Sequence, residues 1–243
     1  MRAPKGRDDA LAEPTALFLG SLAALAETGD LERRAHNRAF ADFDLEWIWD
    51  PDAFVHLSRG PTGPRRIAHY ALDAGCRVDA RAVHAAAMGH LADLVGRQGL
   101  APRPGVLDTV RAAKDRGLAV VLATTAEPDK VDVVLDALDR VIDPEAFAWI
   151  GDATRAARPK PMPDIYFAAM GRLDLAPHQV LAVETSPEDA AAALDAGCAV
   201  LAFPDAVHVE RDFQAGVLTT DRLRPCLLEM GVERSVRART AAE

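Results

Sequence analysis

The sequence predicts an α/β protein, a Rossmann-like, doubly wound parallel sheet with a block of helices inserted after its first strand. Three observations lead there. From about residue 102, short apolar runs such as "LAVVLATT", "QVLAVETS" and "AVLAFPDA" alternate with helical segments, as expected for strands buried on both faces of a parallel sheet. From about residue 30 to 98 the texture is helical throughout. One earlier apolar run, "ALFLG", precedes that block.

Taken in order, "ALFLG" leads into Ser21 and Leu22, and a Glu27-Thr28 pair precedes the next helix. "DLERRAHNRAFADF" places Leu31, Ala35, Ala39 and Phe43 at steps of four along one side, with charge opposite. "PDAFVHLSR", "PRRIAHYALDAG" and "DARAVHAAAMGHLADLVGRQG" continue the helical spacing, each closed by Gly, Pro or a polar turn. "GVLDTVRAAKDRG" is an amphipathic helix with Gly117 as its C-terminal stop. "PDKVDVVLDAL" opens on Pro128, favoured in a helix's first turn. "FAWIGD" is a further short strand, and "PDIYFAAMGRLD" and "PEDAAAALDAG" supply the last crossover helices. The division expected is an α/β core of residues 14–30 and 98–226, a helical cap of 31–97, and a tail of 227–243. In such sheets sites form beyond the C-terminal strand ends. Those ends are Leu19-Gly20-Ser21, Thr124-Thr125, Gly151-Asp152 and Glu184-Thr185-Ser186.

Composition narrows the function. The 243 residues are 49% hydrophobic and 27% charged, with a formal charge of −9, the profile of a globular protein without a basic face for nucleic acid. Arg234, Arg237 and Arg239 read as a solvated helix end. No apolar run is long enough to span a bilayer, and the first residues lack a signal-peptide core. Cys76, Cys198 and Cys226 show no metal-ligand spacing and read as buried or semi-buried small residues in a reducing cytoplasm.

Four strings, in order and at matching spacing, resemble the haloacid dehalogenase-like superfamily, in the branch of CbbY-type sugar-bisphosphate phosphatases and beta-phosphoglucomutases. "RPGVLDTVRAAKDRGLAVVLATT" is similar to its second motif, and the resemblance makes Thr124 the phosphate-binding hydroxyl. "RPKPMPDIYFAAMGRLDLAP" is similar to the third, whose phosphate-binding lysine is Lys160. "VLAVETSPEDAAAALDAGCAVLAF" resembles the fourth, E-D-S-x-x-G followed by an alanine-rich helix. "AHNRAFADFDLEWIWDPDAF" and "TGPRRIAHY" look like the mobile cap. The likeness spans about residues 14 to 225.

The departures fall where the family does its chemistry. With "LAETG" matched to the family's L-x-x-T-E, Gly20 stands at the nucleophilic aspartate and Leu22 at the general acid/base, while Ala23 and Ala24 replace Gly-Thr. Glu184 is kept as a metal ligand of the fourth motif, but Thr185 replaces its metal-binding aspartate and Asp189 its glycine. Pro64 and Arg65 replace Lys-Glu in the cap string G-G-K-E-R. A carboxylate must attack phosphorus, a second must protonate the leaving oxygen, and Mg²⁺ needs hard oxygen donors. Glycine and leucine supply neither group. The aligned positions hold only Glu184 and Lys160, a formally neutral pair that reads as an ion pair left by a lost metal site.

Other residues offer no replacement on spacing alone. Asp42 and Asp44 form a D-x-D, but at a helix end rather than after a strand. Ser21 has no histidine at a suitable spacing to activate it. Asp152 is the best remaining acid beside the crevice. Trp47 and Trp49 read as cap core, and His36, His56, His69, His84 and His90 as surface or packing residues. The expectation is a family member without metal-dependent phosphatase activity, needing no cofactor and keeping a cleft for a small phosphorylated ligand or anion. Two other readings stay open: an active Mg²⁺-dependent sugar-phosphate phosphatase, and a protein-interaction module with a vestigial cleft.

Overall fold

Along the first strand, β1 (Ala16–Leu19), successive side chains point to opposite faces and all four are buried. Leu17 and Leu19 enter one apolar cluster, and Ala16 and Phe18 enter another. A strand with no solvent face needs layers on both sides, which is what a doubly wound sheet provides. The computed structural model describes residues 14–228. Its sheet has the order β3-β2-β1-β4-β5-β6, with β2 (Ala119–Leu122), β3 (Trp149–Ile150), β4 (Val180–Glu184), β5 (Ala199–Ala202) and β6 (Leu218–Thr219). Every pairing is parallel. β1 lies between β2 and β4 in the same register, with Leu19 opposite both Leu122 and Val183. The order reverses at β1, so the segments after β1, β2 and β4 converge on one crevice.

Helices supply both outer layers. Val106 and Val110 of α6 (Val106–Asp115) and Val131, Val134 and Leu138 of α7 (Pro128–Leu138) cover the Leu17 face. Ile165, Tyr166 and Ala169 of α8 (Asp164–Leu173), with Ala190, Ala192 and Ala193 of α9 (Pro187–Asp195), cover the Phe18 face. The alanines let α9 approach the sheet closely. Ser186 caps it by accepting a hydrogen bond from the Asp189 amide, 3.1 Å away.

Between β1 and β2 run α1 (Leu22–Leu25), α2 (Gly29–Asp42), α3 (Pro51–Leu57), α4 (Gly63–Asp73) and α5 (Ala80–Gln98). The last four enclose their own apolar cluster around Phe40, Trp49, Phe54, Ile67, Leu91 and Leu94. Asp50 and Asp79 cap α3 and α5 through their carboxylates. The stripe of α2 is realised, with Ala35 and Ala39 fully buried.

Three sequence expectations need correction. A sixth strand, β6, was not anticipated, because two residues carry no periodicity to read. The segment after Ser21 is a four-residue helix, since Leu22, Ala24 and Leu25 are all buried. Cys76 and Cys226 are exposed, and only Cys198 is buried. The expected tail from residue 229 onward, with Arg234, Arg237 and Arg239, lies outside the described residues. Among the described residues no helix is long and apolar enough to cross a membrane.

Gly105 shows how tightly the layers close. Its φ is +81°, and a Cβ there would sit 1.8 Å from the Leu223 carbonyl oxygen. Gly105→Ala is therefore expected to destabilise the fold by about 1–3 kcal/mol. Gly89→Ala is the control: exposed within α5 and with open space around its Cβ, it is expected to stabilise by up to about 1 kcal/mol. Denaturant unfolding of both variants measures this, and equal midpoints would refute the packing argument.

Candidate functional site

The crevice at the strand ends opens into a cleft of about 770 Å³, bounded on the far side by the helices of residues 29–98. The first-motif loop, Gly20-Ser21-Leu22, forms part of its floor. Gly20 is where the chain differs most from an acid-bearing loop. A Cβ placed there would lie 1.6 Å from Glu184 Oε1 and 2.0 Å from its carboxyl carbon. The Glu184 carboxylate thus fills the volume in which a side chain at residue 20 would begin.

Two partners keep it there. The Lys160 ammonium donates to Glu184 Oε2 at 3.2 Å and to the Gly20 carbonyl at 2.5 Å. The Tyr166 hydroxyl donates to Glu184 Oε1, and the ammonium lies 4.9 Å from the Tyr166 ring centroid. Glu184 has no solvent exposure. Burial pushes its pKa up to about 7, against the opposing pull of Lys160 and with Asp189 adding to the rise. Asp189 Oδ2 lies 3.9 Å from the same ammonium, and burial raises its carboxyl as well. The charge count made on aligned positions is therefore incomplete: two carboxylates share one ammonium. Asp189 was legible as a substitution, but its charge was not counted. Tyr166, which sits inside an ordinary helix string, gave no signal.

Thr124 lies at the end of β2, buried on the cleft, where its hydroxyl accepts from the Ala126 amide at 3.1 Å. Ser21 and Thr185 share a hydrogen bond of 2.9 Å between their hydroxyls. Leu22 is buried in the core. Asp42 pairs with His90 at 2.6 Å, and Asp44 takes a left-handed turn conformation. Asp152 accepts from the Thr154 amide and hydroxyl. None of these three acids lines the cleft.

The donors present do not fit a Mg²⁺ site. Gly20, Leu22 and Thr185 bring no carboxylate, Glu184 is committed to Lys160 and Tyr166, and no group of three His, Cys, Asp or Glu among the described residues is placed to hold a metal ion.

The opposite wall is more polar than the sequence suggested. Glu32 accepts from Thr28 at 2.5 Å and pairs with Lys130 at 2.8 Å, joining α2 to α7. Burial pushes its pKa up, but Lys130 and Thr28 outweigh that and hold it low. The His36 Nδ1–H donates to the Glu32 carbonyl at 2.7 Å, and its ring lies 4.9 Å from Trp49. Burial drives His36 down to about 4. His84 is buried, with neither ring nitrogen hydrogen-bonded among the described residues. His36 and His84 thus pack as expected, yet both line the cleft.

Beyond β5 a second cluster was missed. Arg103 donates to the carbonyls of Ala23, Phe203 and Pro204, pairs with Glu27 at 3.0 Å and stacks 3.5 Å over Phe203. It ties the loop after β1 to the loop after β5. In that second loop Asp205 Oδ1 accepts from the His208 Nδ1–H at 2.7 Å and from the Val207 and His208 amides at 3.0 Å each. A histidine therefore does share the cleft with Ser21. The 186 residues between Ser21 and His208 hid this, since the fold rather than the spacing brings both to the cleft.

A family model for haloacid dehalogenase-like hydrolases matches residues 13–197. The chain belongs to that family. Among its relatives, the plasmid-encoded CbbY of Cupriavidus necator is 34% identical over 207 residues, 82% of each chain. The crystal structure of CbbY from Rhodobacter sphaeroides in complex with phosphate superposes with a TM-score of 0.79 at 28% identity, covering 86% of this chain and 94% of that one. A variant of that protein was solved with xylulose-1,5-bisphosphate. A beta-phosphoglucomutase from Clostridium difficile gives a TM-score of 0.75 at 12% identity, with 92% and 99% covered, a likeness of fold alone.

The Glu184 cluster predicts a pH signature. Because its folded pKa, about 7, lies above the ordinary 4.5, the folded chain holds a proton between those values that the unfolded chain has released. Stability from this group is full below about 4.5 and is lost as pH rises through 7. His36 acts oppositely, since a folded value near 4 makes stability rise between 4 and 6.5. The difference between wild type and Glu184→Gln isolates the first effect. That difference is expected to fall by about 2–3 kcal/mol across the window, measured by urea unfolding at several pH values. A flat difference would refute the assignment.

Proposed function

We propose that this chain is a haloacid dehalogenase-like protein without metal-dependent phosphoryl transfer, whose cleft binds a small phosphorylated or anionic molecule. The observation that carries the reading is the Glu184 carboxylate lying where a nucleophile's Cβ would be. An attacking carboxylate at residue 20 requires that space empty, and a divalent cation beside it requires Glu184 free of Lys160. In this reading residues 31–97 act as the cap and residues 14–30 and 98–226 as the core. The anion site consists of Thr124 and Lys160, with the exposed guanidinium groups of Arg59 and Arg65 on the cleft rim. The phosphate and sugar-bisphosphate complexes of the CbbY relative support the ligand class. Exposed Cys76 and Cys226 suit a reducing, cytoplasmic setting.

The chemistry follows from what the cluster can do. Lys160 neutralises Glu184 and is shared by Asp189, so the pocket around it is formally negative when both acids are ionised. An anion must draw Lys160 away from Glu184, which makes binding weak. Protonation of Glu184 below about 7 relieves that competition. No step forms a covalent bond to the ligand; the cleft positions and holds it.

Two measurements test this. p-Nitrophenyl phosphate and common sugar phosphates are expected to show no Mg²⁺-dependent turnover above background. Activity that chelator abolishes and repurification preserves would overturn the reading. Sulfate, which stays a dianion where phosphate titrates, is expected to bind without metal and more tightly as pH falls through 7. Glu184→Gln is expected to strengthen it by about tenfold, and Lys160→Ala to abolish it, by calorimetry. Equal affinity in Lys160→Ala, or binding that strictly requires Mg²⁺, would remove the anion site from the proposal.

A further inference from the structure

The loop after β5 holds an arrangement that the anion site does not use. Asp205 is nearly buried, and its Oδ1 accepts three hydrogen bonds, from the Val207 amide, the His208 amide and His208 Nδ1–H. Two of the donors are backbone amides of the same loop, so the carboxylate has one orientation and accepts from the imidazole at Nδ1. Nδ1 donates to the carboxylate, so in the neutral imidazole the lone pair is on Nε2. Nε2 has no hydrogen bond among the described residues, and the ring, about 10% exposed, lines the cleft. A carboxylate-oriented imidazole that lines a cleft, with its second nitrogen unbonded among the described residues, is the arrangement of a general base.

The surroundings select the substrate. Facing His208 are Glu27 from the loop after α1, paired with Arg103, and Glu188 of α9, held by Arg211 through two bonds of 2.6 Å. Asp189, also facing it, shares Lys160 with Glu184. Each cation here is taken, and the carboxylates outnumber them. A phosphate dianion is repelled from this end, whereas an uncharged or cationic group is not. Apolar Phe54 and Met88 line the same cleft and offer contact to the remainder of such a molecule.

We propose that the Asp205–His208 dyad is an acid–base centre that activates water for metal-free cleavage of uncharged or cationic carboxylic esters. Nε2 takes a proton from water as the water oxygen bonds to the ester carbonyl carbon. The tetrahedral intermediate collapses, the carbon–oxygen bond to the alcohol breaks, and the imidazolium returns its proton to the departing alkoxide. The products are the carboxylic acid and the alcohol, with no oxidant, metal or further reactant required. His208 is the catalytic residue, and Asp205 positions it.

The probe is p-nitrophenyl acetate with the full chain in excess chelator. The wild type is expected to exceed His208→Gln in second-order rate constant by at least about tenfold, the variant retaining only the background of exposed His56, His69 and His178. Asp205→Asn keeps an acceptor for the two amides but loses the charge, and is expected to fall between them. Added imidazole is expected to restore His208→Gly and leave Asp205→Asn unchanged, which a purely structural loop role would not produce. If His208→Gln fails to fold, diethyl pyrocarbonate on the wild type decides: rate loss must follow carbethoxylation mapped to His208. Equal rates in wild type and folded variants, or rate loss tracking other histidines, would overturn the proposal. Failure here leaves the sulfate test of the anion site untouched.

Discussion

The contact between Gly20 and the Glu184 carboxylate constrains everything at the centre of this cleft. Parallel pairing sets the ends of β1 and β4 side by side, with Leu19 opposite Val183. Residue 20 and Glu184 therefore emerge as neighbours whatever their side chains are. With an acid at residue 20, two carboxylates would face each other and need a cation between them. With glycine there, Glu184 takes the space and its charge must be met by protein. Lys160 and Tyr166 meet it. The lysine's second bond, to the Gly20 carbonyl, uses a backbone group that a cleft ligand cannot displace by charge alone. With glycine at residue 20, Glu184, Lys160 and Tyr166 form a self-contained polar cluster.

That cluster is stable for reasons of geometry more than of net attraction. A buried ion pair returns little beyond its desolvation cost, whereas removing one member leaves an unmatched charge. Glu184 moderates the cost by holding its proton more readily than a solvated carboxylate, at about 7, and Tyr166 supplies a donor that does not titrate in the physiological range, its own pKa being driven up by burial. The α8 helix carrying Tyr166 also buries Ile165 and Ala169 against the sheet. The polar contact and the apolar layer therefore hold each other in register.

Most of the fold was legible because parallel strands and amphipathic helices write themselves as local patterns. "LAVVLATT" became an interior strand, and the stripe of Ala35 and Ala39 became a buried face, with no information beyond spacing. The positions of Gly20, Thr124 and Lys160 at the cleft, and of Glu184 buried beside them at the end of β4, were legible too, because motifs at strand ends carry their location with them. Tyr166, the part Asp189 plays in sharing Lys160, and the Asp205–His208 pair were not. Tyr166 is one aromatic within a helix, and its partner stands 18 residues away on a different element. His208 and Asp205 lie three residues apart, a spacing common in any turn. Only the path of the chain beyond β5 shows that this turn meets the cleft.

The two halves of the cleft are thus built on different electrostatic terms. Toward the cap helices, Lys130, Arg66, Arg59 and Arg65 face Glu32 and Glu127, and cations are in excess. Around His208, beyond β5, Arg103 and Arg211 are each already paired, and acids are in excess. Arg103 sits where these halves join the core, bonded to Ala23 of α1 and Glu27 of the loop after it on one side and to Phe203 and Pro204 on the other. Its fixed geometry keeps the two loops at one separation, because a guanidinium with three carbonyl partners and a stacked ring cannot rotate without losing several bonds together. A ligand long enough to span the cleft would lie with its negative end beneath the cap and its uncharged end at His208. The polarity follows from which carboxylates the fold leaves to share a cation, and it persists whether or not the cleft retains any of its family's chemistry.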